Sequence, residues 1–539
     1  MNALAGFAAA LLLGAGAAVA PAAAADTYAH RLLGKAAPDE CFAGIGQPYP
    51  PGPPCAEGQA KVNQSYVWGM TRVGRQVWFG TGANTHCLTS GAGLADSNPV
   101  VNDDYVCEFA ESQVAREHPT VPDALGDLRA PQVWLYDAGV LTNRSADIMA
   151  ASDADARRLR STLGMRAAGH AGGVVLFAGP SLTSTLNVFA FDAVTKRFLG
   201  SRTLARYGNA RTFLAAAGDL YLGVGIGPDG GLGGAVLRWR GNRVAPFLFD
   251  RVATLPAQAA DLAYADGRLY ATTWSTARPT TDAQIAGVWR SPALPLDGAG
   301  WTQVWQAGSY EKDPLTTTTY GVGGVAAYDG WLYWGSMHVP LKATKAHQAA
   351  YPQPTEEARN NQIRYTQRAA TIWRGRDLGT PEQRIELLYG ESVLPVYQPA
   401  AGAWTPVPTG WTARYGKSGF GNAFNNYAWR MTVAGDRLYV ATMDWSYLVH
   451  LLSDTAPPTD PAGWGADLWT FPSADSPAQP VDVSGLGNPL NYGIRTMAAD
   501  GDDLYLGMAN PMNLRTDPAD SVPEGGWELI RLDRTGTVS

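Results

Sequence analysis

Two stretches near the C-terminus, "NNYAWRMTVAGDRLYVATMDW" (425–445) and "NYGIRTMAADGDDLYLGMANP" (491–511), say nearly the same thing. Each holds a strand-like run, a turn built on Gly and Asp, and a second run carrying Leu-Tyr, which is the pattern of a β-hairpin. The same pattern recurs as "SYVWGMTRVGRQVWFGTGAN" from Ser65, "GMRAAGHAGGVVLFAGPS" from Gly164, "NARTFLAAAGDLYLGVGIG" from Asn209, "AQAADLAYADGRLYATTWS" from Ala257 and "TYGVGGVAAYDGWLYWGSMH" from Thr319. Seven copies result, and self-similarity at this spacing indicates a repeat architecture.

A third strand follows every copy: "PQVWLYD" from Pro131, "LNVFAFD" from Leu186, "GAVLRWR" from Gly234, "AGVWRSP" from Ala286, "ATIWRGR" from Ala370, "ADLWTFP" from Ala466 and "GWELIRLD" from Gly526. A fourth is readable after most of them, as in "PFLFDRVATL" from Pro246, "WTQVWQAG" from Trp301 and "RIELLYG" from Arg384. One such unit cannot bury both of its faces, so units must stack around an axis. The expected fold is all-β, a seven-bladed β-propeller of four-stranded antiparallel blades. The seventh copy ends after three strands. "TYAHRLLG" (27–34) can supply its outer strand, so that an N-terminal strand closes the last blade. In this repeat architecture the chain resembles the β-propeller superfamily, in particular secreted bacterial seven-bladed propellers. It carries neither the G-H…W-D pair of WD repeats nor the S-x-D-x-G-x-T-W box of sialidases.

Composition agrees. The 539 residues are 46% hydrophobic and 17% charged, with 61 Gly, 37 Pro, 18 Trp and 23 Tyr, which suits a large core of short strands and turns. A net charge of −7 offers no basic surface for nucleic acid. The opening "LAGFAAALLLGAGAAVAPAAAAD" reads as a signal peptide over 1–25, with cleavage after Ala25 and one domain over 26–539, although no Lys or Arg precedes the apolar run. A secreted or periplasmic, monomeric protein without a membrane span is expected. The four cysteines, Cys41, Cys55, Cys87 and Cys107, fit an oxidising compartment. Three connectivities are open, and pairing neighbours closes the two shortest loops. No metal-ligand spacing occurs, and no cofactor is indicated.

Loop lengths select a working face. Every first-to-second turn is short, whereas the opposite rim carries insertions at about 82–130, 339–368, 391–422 and 446–465. Inner strands starting at that rim place Tyr66, Tyr320, Tyr427 and Tyr492 at the channel mouth. Second strands ending there place Asn84, His86, His338, Asp444, Trp445 and Asn510 around it. Arg430 and Arg495 follow Tyr427 and Tyr492 by three residues, so strand alternation sends each Arg to the side opposite its Tyr.

Two function classes follow. One is a binding propeller that holds a carbohydrate, a small organic molecule or a protein partner, with His86, Asn84, Tyr66, Tyr427, Tyr492, Arg495, Asp444 and Asn510 as contacts. The other is a polysaccharide lyase or hydrolase in which His338, Tyr320 and Arg430 move a proton and neutralise developing charge. The same tyrosines also serve as packing between blades, and the same asparagines as turn devices.

Overall fold

Short turns set the repeat. Ala217–Gly218, Asp266–Gly267 and Asp329–Gly330 take positive φ at both positions (49° and 84°, 50° and 71°, 48° and 74°). Two left-handed residues in succession make the mirror-image turn whose twist matches paired strands, so the runs on either side close into tight hairpins. The computed structural model describes residues 26–50, 55–275, 284–296, 300–451, 461–520 and 524–537. The expected leader, 1–25, lies outside these residues, as does 452–460 of the last insertion.

The fold is all-β, with the strands paired antiparallel. The inner strands are Gln64–Val73, Ala167–Ala171, Tyr207–Ala216, Gln258–Ala265, Gly321–Tyr328, Asn425–Ala434 and Gly493–Asp500, and each opens a unit of four. The units are numbered one to seven in that order. The outer strands of units one to six are Val140–Asn143, Phe198–Leu204, Phe249–Leu255, Thr302–Gln306, Arg384–Tyr389 and Gln479–Asp482. In unit seven the third strand, Glu528–Thr537, pairs with Asp26–Lys35, from Asp26 opposite Thr537 to Lys35 opposite Glu528.

Burial between units follows the strand pattern. Trp305 of unit four packs on Trp334 and Trp373 of unit five at 5.9 and 5.3 Å between ring centres. Leu222, Leu237 and Trp239 of unit three meet Val174, Leu176 and Val188 of unit two. Tyr505, Trp527 and Leu529 of unit seven share a cluster with Val67, Val77 and Phe79 of unit one. Such side chains hold the units together; truncating fully buried Trp373 to Ala would cost about 3–5 kcal/mol.

The insertions are built structures. Residues 82–130 carry the helix Thr85–Leu88 and the Cys87–Cys107 bridge, while the other bridge joins Cys41 and Cys55, so the cysteines pair with their neighbours as expected. Residues 339–368 form helices Lys342–Ala350 and Glu356–Thr366, 391–422 a hairpin of Val393–Gln398 and Ala403–Pro408, and 446–465 begins with the helix Ser446–Leu451.

A second regularity was not expected from the sequence. The inner strands of units one, three, four, five, six and seven each contain a β-bulge, at Trp68, Arg211, Ala260, Gly323–Gly324, Trp429 and Arg495. Arg166 holds the corresponding place in unit two, immediately before Ala167. A bulge inserts an unpaired residue and breaks alternation. The expectation that Tyr427 and Arg430 point to opposite sides therefore fails. Tyr427 packs on Trp274 of unit four at 6.1 Å, and Arg430 bonds Asp261 of the same unit at 2.6 Å, both reaching past unit five.

Candidate functional site

The residues expected at the mouth separate into three environments. His338 ends the second strand of unit five, and its Nε2 lies 2.8 Å from the Ser336 hydroxyl. Its ring meets Tyr320 edge-on at 4.2 Å. The Tyr320 hydroxyl donates to Glu311 at 3.0 Å, and Glu311 also receives Arg368 at 2.7 Å. Burial, with the Arg368 charge nearby, pulls His338 down to about 3, so the imidazole is neutral. The cavity beside it, bounded by Thr316, Leu341 and Arg368, measures about 10 Å³, room for a single water. Arg430 is not a partner of this group; its contacts are Asp261 and Thr212.

Asn84, Asn510 and Asp444 are committed to holding loops. Asn84 donates to Asn63 at 2.8 Å and to the Asp127 carbonyl at 2.9 Å, and accepts from Asn513 at 3.2 Å. Asn510 donates to the Glu524 carbonyl at 3.1 Å. Asp444 accepts from the Ser446 backbone at 2.7 Å and from Asn422 at 2.7 Å. Burial pushes Asp444 up to about 6. Its neighbour Asp467 rises to about 7, through burial and then the Asp444 charge. His86 packs edge-on against Tyr105 at 5.2 Å and is pulled down to about 4 by burial. Together with Phe109, Trp445 and Leu448, the ring of Tyr105 forms an apolar cluster over Tyr66, Tyr427 and Tyr492. The insertions thus roof the inner-strand tyrosines.

Beneath that roof the inner strands converge. Tyr66 lies 5.8 Å from Trp68, 5.8 Å from Trp429 and 5.9 Å from Tyr492, and Tyr427 lies 5.3 Å from Trp429. With Trp274, six aromatic side chains from units one, four, six and seven make a collar. Arginines stack on its tryptophans: Arg166 over Trp68 at 5.0 Å, Arg211 over Trp274 at 4.2 Å and Arg495 over Trp429 at 5.4 Å. Such stacking fixes the guanidinium planes and leaves their edges free to donate.

The charge there is unbalanced. Asp261, 4% exposed, is committed to Arg430 and also accepts from the Leu262 backbone at 3.0 Å. Burial pulls Arg166 down to about 10; burial followed by repulsion from Arg166 and Arg430 pulls Arg495 down to about 9. Arg211 is lowered by burial and by the same neighbours, Arg166 and Arg495. Lys342, on the insertion helix of unit five, falls to about 8 through burial and the Arg211 charge. The Nε atoms of Arg166, Arg211, Arg430 and Arg495 have no hydrogen-bond partner among the described residues. Arg430 nonetheless keeps 26% of its side chain accessible.

Sequence reasoning found Tyr66, Tyr427, Tyr492, Arg430 and Arg495 of this set and missed Trp68, Arg166, Arg211, Asp261, Trp274, Lys342 and Trp429. The available signal was a large or cationic residue near the start of most inner strands, in "YVWGM", "GMRAA", "NARTF" and "YAWRM".

No protein-family model and no curated protein matches the chain. Among solved structures it is similar to the computationally designed Ika8 protein (8% identity over 87% of this chain and 96% of that chain, TM-score 0.35). It is also similar to the α-L-arabinanase of Penicillium chrysogenum complexed with arabinobiose (10%, 68% and 91%, 0.34). A third is the β-propeller domain of the Trilobed protease from Pyrococcus furiosus (8%, 78% and 98%, 0.30). Likeness at this level transfers neither ligand nor activity, and the site is read from its own residues.

Proposed function

We propose that the chain is an exported seven-bladed β-propeller, closed by Asp26–Lys35 on Glu528–Thr537, that binds a small organic ligand inside its central channel. Several observations support this reading. Each inner strand lies against that of the next unit, and that of unit seven lies against that of unit one. The two disulfides suit an oxidising compartment. The observation that carries the binding role is the collar. Six aromatic rings from units one, four, six and seven cluster with stacked arginines from units two, three and seven, and a wall of aromatic faces with a few aimed polar groups is the usual make-up of a ligand pocket. Catalysis at His338 has less support. An imidazole held at about 3 is a poor proton acceptor at neutral pH, and the space beside it of about 10 Å³ admits no sugar ring.

The collar gives an optical test. Intrinsic tryptophan fluorescence is titrated with a panel of neutral monosaccharides, uronic acids and di- and tricarboxylic acids. At least one compound should change the emission of the wild type and of His338→Gln while failing to bind Trp429→Ala. Binding that survives Trp429→Ala and is lost in His338→Gln would move the site to the unit-five pocket and refute the proposal.

A further inference from the structure

The bulges, with Arg166 at the corresponding place in unit two, set a tier of residues, one from each unit: Trp68, Arg166, Arg211, Ala260, Gly323, Trp429 and Arg495. Three of the seven are arginines, and none of the three has an acidic partner among the described residues. The one carboxylate that faces them, Asp261, lies a residue further along its strand and is held by Arg430 at 2.6 Å. Lys342 adds a further cation from the roof. Arg495 is 7% exposed, and its Nε points to no acceptor among the described residues.

Four uncompensated cations around a confined space are costly to a fold, because each loses hydration and repels the others. A purely structural role would pair them with carboxylates, as Glu311 pairs with Arg368 at 2.7 Å elsewhere in the same molecule. The stacking adds a geometric argument. A guanidinium lying over an indole presents its N–H edge sideways, and that edge matches the two oxygens of a carboxylate. The charges of the same three arginines act together on the buried Tyr427 hydroxyl.

Resting on the channel-binding reading, we infer that the ligand is a small organic anion carrying two or three carboxylates, held by Arg166, Arg211 and Arg495 against the tryptophan collar. Three guanidiniums set on separate strands ask for carboxylates spaced on one skeleton. Both a free polycarboxylic acid and a short chain of uronic acids provide that.

Isothermal titration at constant ionic strength, with tricarballylate, trigalacturonate, sodium sulfate and galactose as probes, tests this. Tricarballylate or trigalacturonate should bind the wild type, and whichever is tighter identifies the source of the carboxylates. Arg211→Met and Arg495→Met should each weaken binding about ten- to hundredfold, the worth of one lost charge-assisted pair. Without ligand, Arg211→Met should melt no lower than the wild type, because the substitution removes a repelling charge and keeps the side-chain volume. Binding of galactose in preference to both acids, lost in Trp429→Ala, would overturn the anion inference and leave the collar reading standing. Absence of binding by all four probes would overturn the inference, and the fluorescence panel would then decide the collar reading separately. An apo melting temperature several degrees lower in Arg211→Met would make the arginines structural and overturn it too.

Discussion

Asp467→Asn should stabilise the protein at pH 8 and leave it unchanged near pH 4. Asp467 is 2% exposed; its Oδ2 accepts from Asn425 at 2.6 Å and from Trp469 at 3.2 Å, and its Oδ1 has no partner among the described residues. Burial, with Asp444 alongside, lifts its pKa from 3.8 to about 7. Between those values the folded protein binds a proton that the unfolded chain has released, so stability falls as pH rises through this window and levels off above it. A shift of that size corresponds to about 4 kcal/mol at about 1.4 kcal/mol per unit. Asn reproduces the neutral form, since its carbonyl can still accept from Asn425 and Trp469. Urea unfolding of wild type and variant at pH 4.5 and pH 8 measures the difference, and comparison with the variant cancels the other titrating groups. Equal stabilities at both pH values, or a variant weaker at pH 8, would show that Asp467 is ionised in the fold and refute the reasoning.

Three further outcomes are expected. Replacing Cys87 and Cys107 by Ser opens a loop with a sequence separation of 20, which should lower stability by about 3 kcal/mol in denaturant melts. The loss should include early exposure of Trp445 and Tyr105 in the roof, visible as near-ultraviolet dichroism change before global unfolding. A chain beginning after Lys35 leaves Glu528–Thr537 as a bare edge; it should melt at least several degrees lower and form oligomers by size exclusion, and a monomer of unchanged melting temperature would contradict closure by that strand. Lys61→Met removes the 2.8 Å partner of Glu108, with both side chains fully buried, and leaves it only Arg129 at 3.9 Å among the described residues; it should cost about 3 kcal/mol in the same assay.

The hairpins were legible because Gly and Asp at the turns and Leu-Tyr in the second strand report local backbone geometry directly. The pairing of the cysteines and the place of Thr27 to Gly34 also followed from chain order. The candidate site was legible only in part, and the bulges explain why. Sequence alignment sets Arg430 over Arg495, since both follow a Tyr by three. In the paired strands Ala428 faces Thr442 and Ile494 faces Met508, so Trp429 corresponds to Arg495 and Arg430 to Thr496. A bulge is a property of the two-strand register and leaves no mark in the inner strand alone. Pairing between distant units, such as Arg430 with Asp261 over 169 residues, is likewise invisible to spacing rules. His338 stands at the strand end where the sequence put it, but the Tyr320–Glu311–Arg368 network around it joins the start of an inner strand, the link between units four and five and the end of an insertion, a convergence that spacing does not specify.

The most direct measurement is a crystal structure of the protein soaked with tricarballylate or trigalacturonate. Channel binding requires ligand density beneath the roof, with carboxylate oxygens within hydrogen-bonding distance of Arg166, Arg211 and Arg495 and the skeleton beside Trp68 and Trp429. Density against His338 or on the outer surface, with only water between the three arginines, would contradict it.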